Sequence, residues 1–430
     1  MEKIVINGGK PLFGSVEISG SKNAALPIIF ACVLVKGKCV LENIPAISDL
    51  KFSFDILSGI GAKVRMLGKT TYEVDCTDVK PGISDYELVR RIRGSYYLLG
   101  AEFGRFGYAK VGLPGGCNFG VRPIDQHIKG FEALGGETST EGGYVEIKSE
   151  NRRPTGANIY FDVSSVGATL NVMLAAATAE GFTVIENAAR EPHIVDCANF
   201  LNTCGAKISG AGSDTIKIKG VPELHGCTYT IIPDMIEAGT FLAAAVATHG
   251  SVRVTNVIPK HLESITAKLE EMGAEVEEFD EAVHVSAPGA LRRTNIKTLP
   301  YPGFPTDMHP QLTAVLCGVN GTSYINESIY ENRFRYVEEL KRMGANIKVD
   351  GRIVTVEGGA PLTPAKVVAT DLRGGAAVLI LALMTNGESE ITEIRLVERG
   401  YDDIVGKLKS LGADIKKVIL PDPVEELEAL

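Results

Sequence analysis

The chain has little that marks export, a membrane, a nucleic acid or a cofactor. Its first residues, MEKIVINGGK, lack the basic stretch, continuous apolar segment and small-residue cleavage site of a signal peptide, so a cytoplasmic protein is expected. Apolar runs such as residues 25–35 are interrupted by Lys36 or a glycine before they reach membrane length. A net charge of -9 and the absence of any basic tract argue against nucleic acid as a partner. The eight cysteines form no CxxC pair and several sit in apolar runs, as reduced thiols do in a reducing compartment. There is no Walker lysine loop, no GxGxxG between strand and helix, no HExxH and no GxSxG. Histidines 127, 193, 225, 249, 261, 284 and 309 are scattered without ligand spacing. No cofactor and no metal is therefore implied.

What the chain does have is internal repetition. At 430 residues, 45% hydrophobic and 23% charged, it exceeds one core and is expected to form two domains. Six weak copies share a marker: ILSGIGAKV, FEALGGETS, LNTCGAKIS, LEEMGAEVE, LKRMGANIK and LKSLGADIK. Their glycines, Gly61, Gly135, Gly205, Gly273, Gly344 and Gly412, are spaced 74, 70, 68, 71 and 68 residues apart. Each suits a helix C-terminal cap followed by a strand. Upstream of the marker in each copy lies an alanine- and leucine-rich helix, then a glycine and an alternating strand, as in NVMLAAATAEGFTVIEN and FLAAAVATHGSVRVTN. Helices apolar on every side belong inside. The unit reads β-α-β-α-β, with the second copy, RGSYYLLGAEFGRFGYAKVGLP, the divergent one. Six such units make an α/β protein, either as two three-unit domains, which the length favours, or as a solenoid.

Ser21, Ser165, Asp234, Asp307 and Asp371 each precede a buried helix and are candidate N-caps. If the units surround a pseudo-threefold axis, helix starts converge and attract anions. Lys22, beside Asn23 in SGSKNAAL, opposes the dipole of its own helix. Two readings fit it: a side chain that reaches out to water, or a cation that meets a phosphate where the helix also attracts it. Residues 113–130, LPGGCNFGVRPIDQHIKG, put Cys117 among Gly115, Gly116 and Gly120, with Arg122-Pro123 at a helix start. A thiol there is easier to ionise than a free one, yet a loop cysteine without a role fits equally. His127 reads as a neighbour of that loop or as a packed helix residue. Arg333, Arg373 and Arg399 flank turns and stand out only jointly.

SGSKNAALP, LPGGCxxGxRPxDxH, SVGAT, AREPxIVD, PDxIExGTF, FPTDM, YENRF, DLRGGAA and ERGYDDI occur in this order over nearly the whole chain. In these nine motifs the chain resembles the UDP-N-acetylglucosamine 1-carboxyvinyltransferases, enolpyruvyl transferases that begin peptidoglycan precursor synthesis and so serve cell shape and division. The resemblance implies two inside-out α/β barrel domains of three units each, one over about 22–232 and the other over about 1–21 with 233–430. It places the site in the cleft between them. It implies a phosphoenolpyruvate site of Lys22, Asn23, Arg122, Arg333, Arg373 and Arg399. Asn23, Arg93, Arg122, Pro123, Ile124, Asp125, Gln126, Ser164, Ser165, Val166, Gly167, Asp307 and Ile329 are the implied nucleotide-sugar residues. Cys117, Asp307, Lys22 and Arg399 are the implied catalytic groups.

The resemblance also implies the chemistry. The sugar 3′-hydroxyl attacks C2 of phosphoenolpyruvate while Cys117 protonates C3 and Asp307 takes the hydroxyl proton, and the tetrahedral adduct then loses phosphate from C2 as a C3 proton passes to a basic group. Loop 113–122 is expected to order, and the domains to close, when nucleotide sugar binds. Sensitivity to fosfomycin, which alkylates the family's cysteine, is expected. The partners are the two small substrates, and the chain is expected to be a monomer or weak oligomer. One departure is Val163, in FDVSSVGAT, where some relatives carry a lysine. The terminal PVEELEAL is an acidic extension without a motif. Two alternatives are a shikimate-pathway enolpyruvyl transferase, which lacks the cysteine, and an inactive nucleotide-sugar sensor on the same scaffold.

Overall fold

A computed structural model describes residues 2–82, 86–113 and 123–419. Cys117, Arg122 and the acidic C-terminal extension lie outside the described residues. The chain divides into two units, Gly20–Ile232 and Met1–Ser19 with Pro233–Leu430.

In each unit the most apolar helices are innermost. Met235–Ala247, His309–Cys317 and Leu372–Met384 pack on one another, and nearly every residue in them is buried. Lys22–Ala31 and Val166–Ala176 both pack near Tyr97–Phe106 in the other unit, Tyr97–Phe106 touching each. Their small residues let backbones approach, while each fully buried Leu, Ile or Phe contributes roughly 1.5–3 kcal/mol. Sheets surround these helices with one face inward. Thr215–Lys219, TIKIK, buries its isoleucines and exposes its lysines, the period-2 pattern of a half-covered strand.

Among the described residues, five of the seven sheets are four-stranded and share one topology. In the third copy Asn158–Tyr160 runs parallel to Phe182–Glu186, which pairs antiparallel with Thr215–Lys219 and that in turn with Lys207–Ser209. The repeating unit is thus β-α-β-α-β-β, one strand longer than the periodicity suggests. The marker glycine leads into an outer strand, and a hairpin returns the chain to the middle of the sheet. The six marker glycines all take φ between 84 and 102°, the left-handed region that favours glycine. Among its described residues the divergent second copy shows the strands Tyr108–Gly112, Tyr144–Ser149 and Gly136–Glu141 in one sheet.

Three sheets are completed from far along the chain. Thr228–Thr230 supplies the parallel edge strand beside Lys38–Glu42. Phe13–Glu17 does the same for Ser251–Thr255, and Glu2–Gly8 lies between Gly387–Thr392 and Ile415–Ile419. Among the described residues no helix is long and apolar enough to cross a membrane.

Candidate active site

In the unit that ends the chain, the approach to His309–Cys317, the start of Leu372–Met384 and the loop before Val337 meet around one carboxylate. Asp307 receives Arg333 Nη2 on Oδ1 at 2.6 Å and Arg373 Nε on Oδ2 at 3.1 Å. Both arginines are 2–3% exposed, whereas the Asp307 side chain is 27% exposed. Burial works against its charge, but Arg333 and Arg373 outweigh burial and hold the carboxyl well below the usual carboxylate range. Arg333 also donates to Thr306 Oγ1 at 2.8 Å, and the Arg373 guanidinium sits 5.2 Å over the Tyr401 ring.

This corrects one expectation. Asp307 does not cap its helix, which begins at His309 with Met308 at the cap. Its oxygens are taken by the two arginines instead. The other acids do cap: Asp234 accepts from the N–H groups of Ile236 and Glu237, and Asp371 from those of Arg373 and Gly374. Ser165 accepts from the Ala168 N–H, while Ser21 holds the cap position without a side-chain bond. Capping by Asp371 also fixes the backbone at Arg373, which aims that guanidinium at Asp307. Ile329 is half-buried, and its N–H donates to Glu327 Oε1 at 2.7 Å. Arg399 is half-buried in the turn before Tyr401.

In the unit Gly20–Ile232, Lys22 is the first residue of its helix and neither reaches into bulk water nor stands alone. Its Nζ lies 2.7 Å from Asp49 Oδ2, with side chains 12% and 3% exposed. The lysine's conflict with its helix dipole is offset by this partner. Asn23 is half-buried beside it. Arg93 opens a short turn with its guanidinium 5.5 Å over Tyr96. Tyr96 meets His127 edge-on at 5.1 Å, and a Cβ at Gly167 would fall 2.7 Å from His127 Nε2. Arg93, His127 and the start of the helix after Ser165 are therefore one packed group. Burial first, then Arg93, lowers the His127 pKa to about 4, so it is neutral near pH 7 and serves as packing.

Gln126 is locked: its Nε2 donates to Asp125 and Asp162, and its Oε1 accepts from the Asp162 N–H at 3.0 Å. Pro123 is exposed and Ile124 half-buried before it, while Ser164, Ser165 and Val166 are half-buried across from it and Gly167 is buried. Val163 is 60% exposed, so the position of the missing lysine faces outward. Cys117 and Arg122 fall outside the described residues.

Sequence reasoning missed Asp49, Glu327 and Tyr401. Glu327 is fully buried, accepts from the N–H groups of Ile329 and Tyr330 and from Thr306, and stands 3.2 Å from His309 Nε2. It shapes the loop that carries Arg333. Tyr401 is buried, shares a 2.9 Å hydrogen bond with Thr240 and accepts from Gln311. ERGYDDI contained the tyrosine, but nothing in its spacing distinguishes it from a core residue.

Fold and site together define an α/β repeat enzyme in which Lys22 and the buried Arg373 sit at helix starts and the buried Arg333 on a loop beside one, an arrangement that suits an anionic substrate. The chain belongs to the EPSP synthase family of enolpyruvyl transferases: residues 6–408 match the family described as EPSP synthase (3-phosphoshikimate 1-carboxyvinyltransferase). A UDP-N-acetylglucosamine 1-carboxyvinyltransferase 3 from Caldanaerobacter subterraneus subsp. tengcongensis is 55% identical, and a UDP-N-acetylglucosamine 1-carboxyvinyltransferase from Clostridium botulinum 53%. Each alignment covers 97% of this chain and 100% of the relative. The enolpyruvyl transferase NikO from Streptomyces tendae matches with TM-score 0.88 at 28% identity, over 98% of this chain and 99% of that one. An EPSP synthase from Acinetobacter baumannii matches with TM-score 0.75 at 16% identity, over 97% and 100% of the two chains, and shares the fold. The architecture is the two-domain inside-out α/β fold, and the chain is an enolpyruvyl transferase.

Proposed function

We propose that the enzyme transfers the enolpyruvyl group of phosphoenolpyruvate to the 3′-hydroxyl of UDP-N-acetylglucosamine and releases phosphate, in the cytoplasm, as a monomer or weak oligomer. One observation carries the site reading: Asp307 is fixed by two buried arginines yet keeps an open face. Such a carboxylate orients a hydroxyl beside cations suited to an anionic co-substrate. The choice of acceptor is supported by full-length relatives of that name at 53–55% identity. The shikimate-pathway alternative is not favoured by them.

In this reading Lys22, Arg122 and Arg399 bind the phosphate of phosphoenolpyruvate, with Arg333 and Arg373 adding positive charge and Asn23 facing the sugar. Arg93, Arg122, Pro123, Ile124, Asp125, Gln126, Ser164, Ser165, Val166, Gly167 and Ile329 hold the nucleotide sugar. Cys117 delivers a proton to C3 as the sugar oxygen attacks C2. The depressed proton affinity of Asp307 refines its role. It accepts a hydrogen bond from the hydroxyl in the ground state and takes the proton late, once bond formation to C2 has acidified that oxygen. The test is phosphate release from the purified protein with phosphoenolpyruvate alone, UDP-N-acetylglucosamine alone, and both. Release only with both is expected, and no release with both would overturn the reading.

A further inference from the structure

Three cysteines outside the substrate site converge. Cys39 lies on the strand Lys38–Glu42, Cys204 ends the helix Pro192–Thr203, and Cys227 sits between the strands Leu224–His225 and Thr228–Thr230. Their sulfurs all lie within 4.8 Å of one another, with Cys204 Sγ and Cys227 Sγ 3.4 Å apart. Backbone hydrogen bonds fix the three: Val40 N–H donates to the Cys227 carbonyl at 2.8 Å, and His225 N–H to the Cys204 carbonyl at 2.9 Å. Cys39 and Cys204 are buried, while Cys227 is half-buried and gives a route in. Cys32 also neighbours Cys39, but its thiol donates to the Ile28 carbonyl at 3.4 Å and it lies outside the trio.

We propose that Cys39, Cys204 and Cys227 form a three-thiolate site for a soft d10 cation of the zinc type. In tetrahedral zinc–thiolate geometry the bonds are about 2.3 Å, which puts sulfurs about 3.8 Å apart. Cys204 and Cys227 stand 3.4 Å apart and no pair of the three sulfurs exceeds 4.8 Å, so side-chain adjustments alone bring them to that spacing. Binding a divalent ion displaces three thiol protons and leaves a singly negative centre, with a water from solvent in the fourth position. Soft sulfur donors select such cations over magnesium or calcium. The site lies where Thr228–Thr230, the last strand of its unit, joins the sheet of the first copy. It ties together three segments that are distant in sequence, so its role is to staple the unit.

The test titrates cadmium, an optical stand-in for zinc, into the reduced, metal-stripped full chain. It follows the thiolate-to-metal charge-transfer absorption and then the melting temperature with equimolar zinc. One saturable site per chain is expected, retained in Cys117→Ser and Cys317→Ser. Cys204→Ser and Cys227→Ser should each weaken cadmium binding by at least the roughly 10–100-fold that loss of a supporting group costs a metal site, and should abolish the zinc-dependent rise in melting temperature. Cys227 is half-buried, so that variant is expected to fold, and the melt of each variant checks it. Absence of the band in wild type, its survival in folded Cys227→Ser, or isolation of the reduced-buffer protein with a Cys204–Cys227 disulfide in place of metal binding would each overturn the proposal.

Discussion

At Asp307 two guanidiniums compete with loss of solvation and win. The same contest sets what substitution costs. Asp307→Asn removes the carboxylate that both buried arginines face and leaves Glu327 and Asp234 as their remaining acidic neighbours, and breaking such a buried arrangement costs up to about 3–5 kcal/mol. A clearly lowered melting temperature is expected together with loss of turnover. A melt within a degree of wild type would show that the pair holds nothing in place. Glu102 poses the opposite case: it is fully buried, with no cation or side-chain donor on its carboxylate among the described residues. Burial pushes its pKa up to about 8, with only a weak opposing pull from the Lys110 backbone. A carboxyl raised in the folded state stabilises fully below its ordinary value of 4.5, and that contribution is lost as pH rises through about 8. Glu102→Gln should therefore leave stability at pH 4 nearly unchanged and raise it at pH 9, by on the order of 2–4 kcal/mol. Equal effects at both pH values in denaturant melts would contradict this. Lys22 was conspicuous in the sequence because it opposed its helix. Asp49 was not, because it looks like any acid in a helix's first turn and only folding brings it to Lys22. Cys117 stands out in the sequence through the motif around it, and lies outside the described residues. Cys117→Ser should cripple turnover and Cys117→Asp, which keeps a titratable acid, should be milder. Equal loss in both would mean the thiol matters for more than its proton.

At the scale of elements, the starts of the buried helices combine two tasks, satisfying free N–H groups and placing charge. Asp371 does both, since its bonds to the Arg373 and Gly374 N–H groups set the backbone that carries the Arg373 guanidinium. Asp371→Ala should lower stability by about 0.5–2 kcal/mol and reduce turnover by misplacing Arg373. A stability loss with kcat and KM unchanged would separate the cap from the site. The six copies were readable from the marker glycine, because a left-handed turn after a helix leaves few residues to choose from. The return strand of each hairpin was hidden. Ala282–Ser286 follows Glu275–Phe279 after only two residues, so in the sequence the two short strands merge into one. Asp307 misled in the same way: an acid before a buried helix reads as a cap, and its ion-pair partners lie 26 and 66 residues onward.

For the whole molecule, the first residues of the chain complete the last unit. Glu2–Gly8 lies inside a sheet with Gly387–Thr392 on one side and Ile415–Ile419 on the other, and Phe13–Glu17 closes the sheet of Ser251–Thr255. Removing residues 1–18 strips the ladder partners of these strands and uncovers the core beneath Ile4 and Ile6, both fully buried. The truncated chain should become protease-sensitive within 233–419 while 20–232 persists as a resistant fragment, as read by mass spectrometry of limited digests. A digest pattern like that of the full chain would contradict it. The two-unit, three-repeat plan was open to periodicity and the family to motif order. The pairing of first and last strands was known only through the resemblance, since it joins segments nearly the full chain apart.

The central claim, that this site serves an amino-sugar nucleotide and not the acceptor of its fold relatives, comes down to acceptor choice. Initial rates of phosphate release from phosphoenolpyruvate, measured side by side with UDP-N-acetylglucosamine and with shikimate 3-phosphate, test it most directly. Release with UDP-N-acetylglucosamine, none above background with shikimate 3-phosphate, and loss of the first rate in Cys117→Ser is the predicted result. Release driven by shikimate 3-phosphate, or by neither acceptor, would contradict the account.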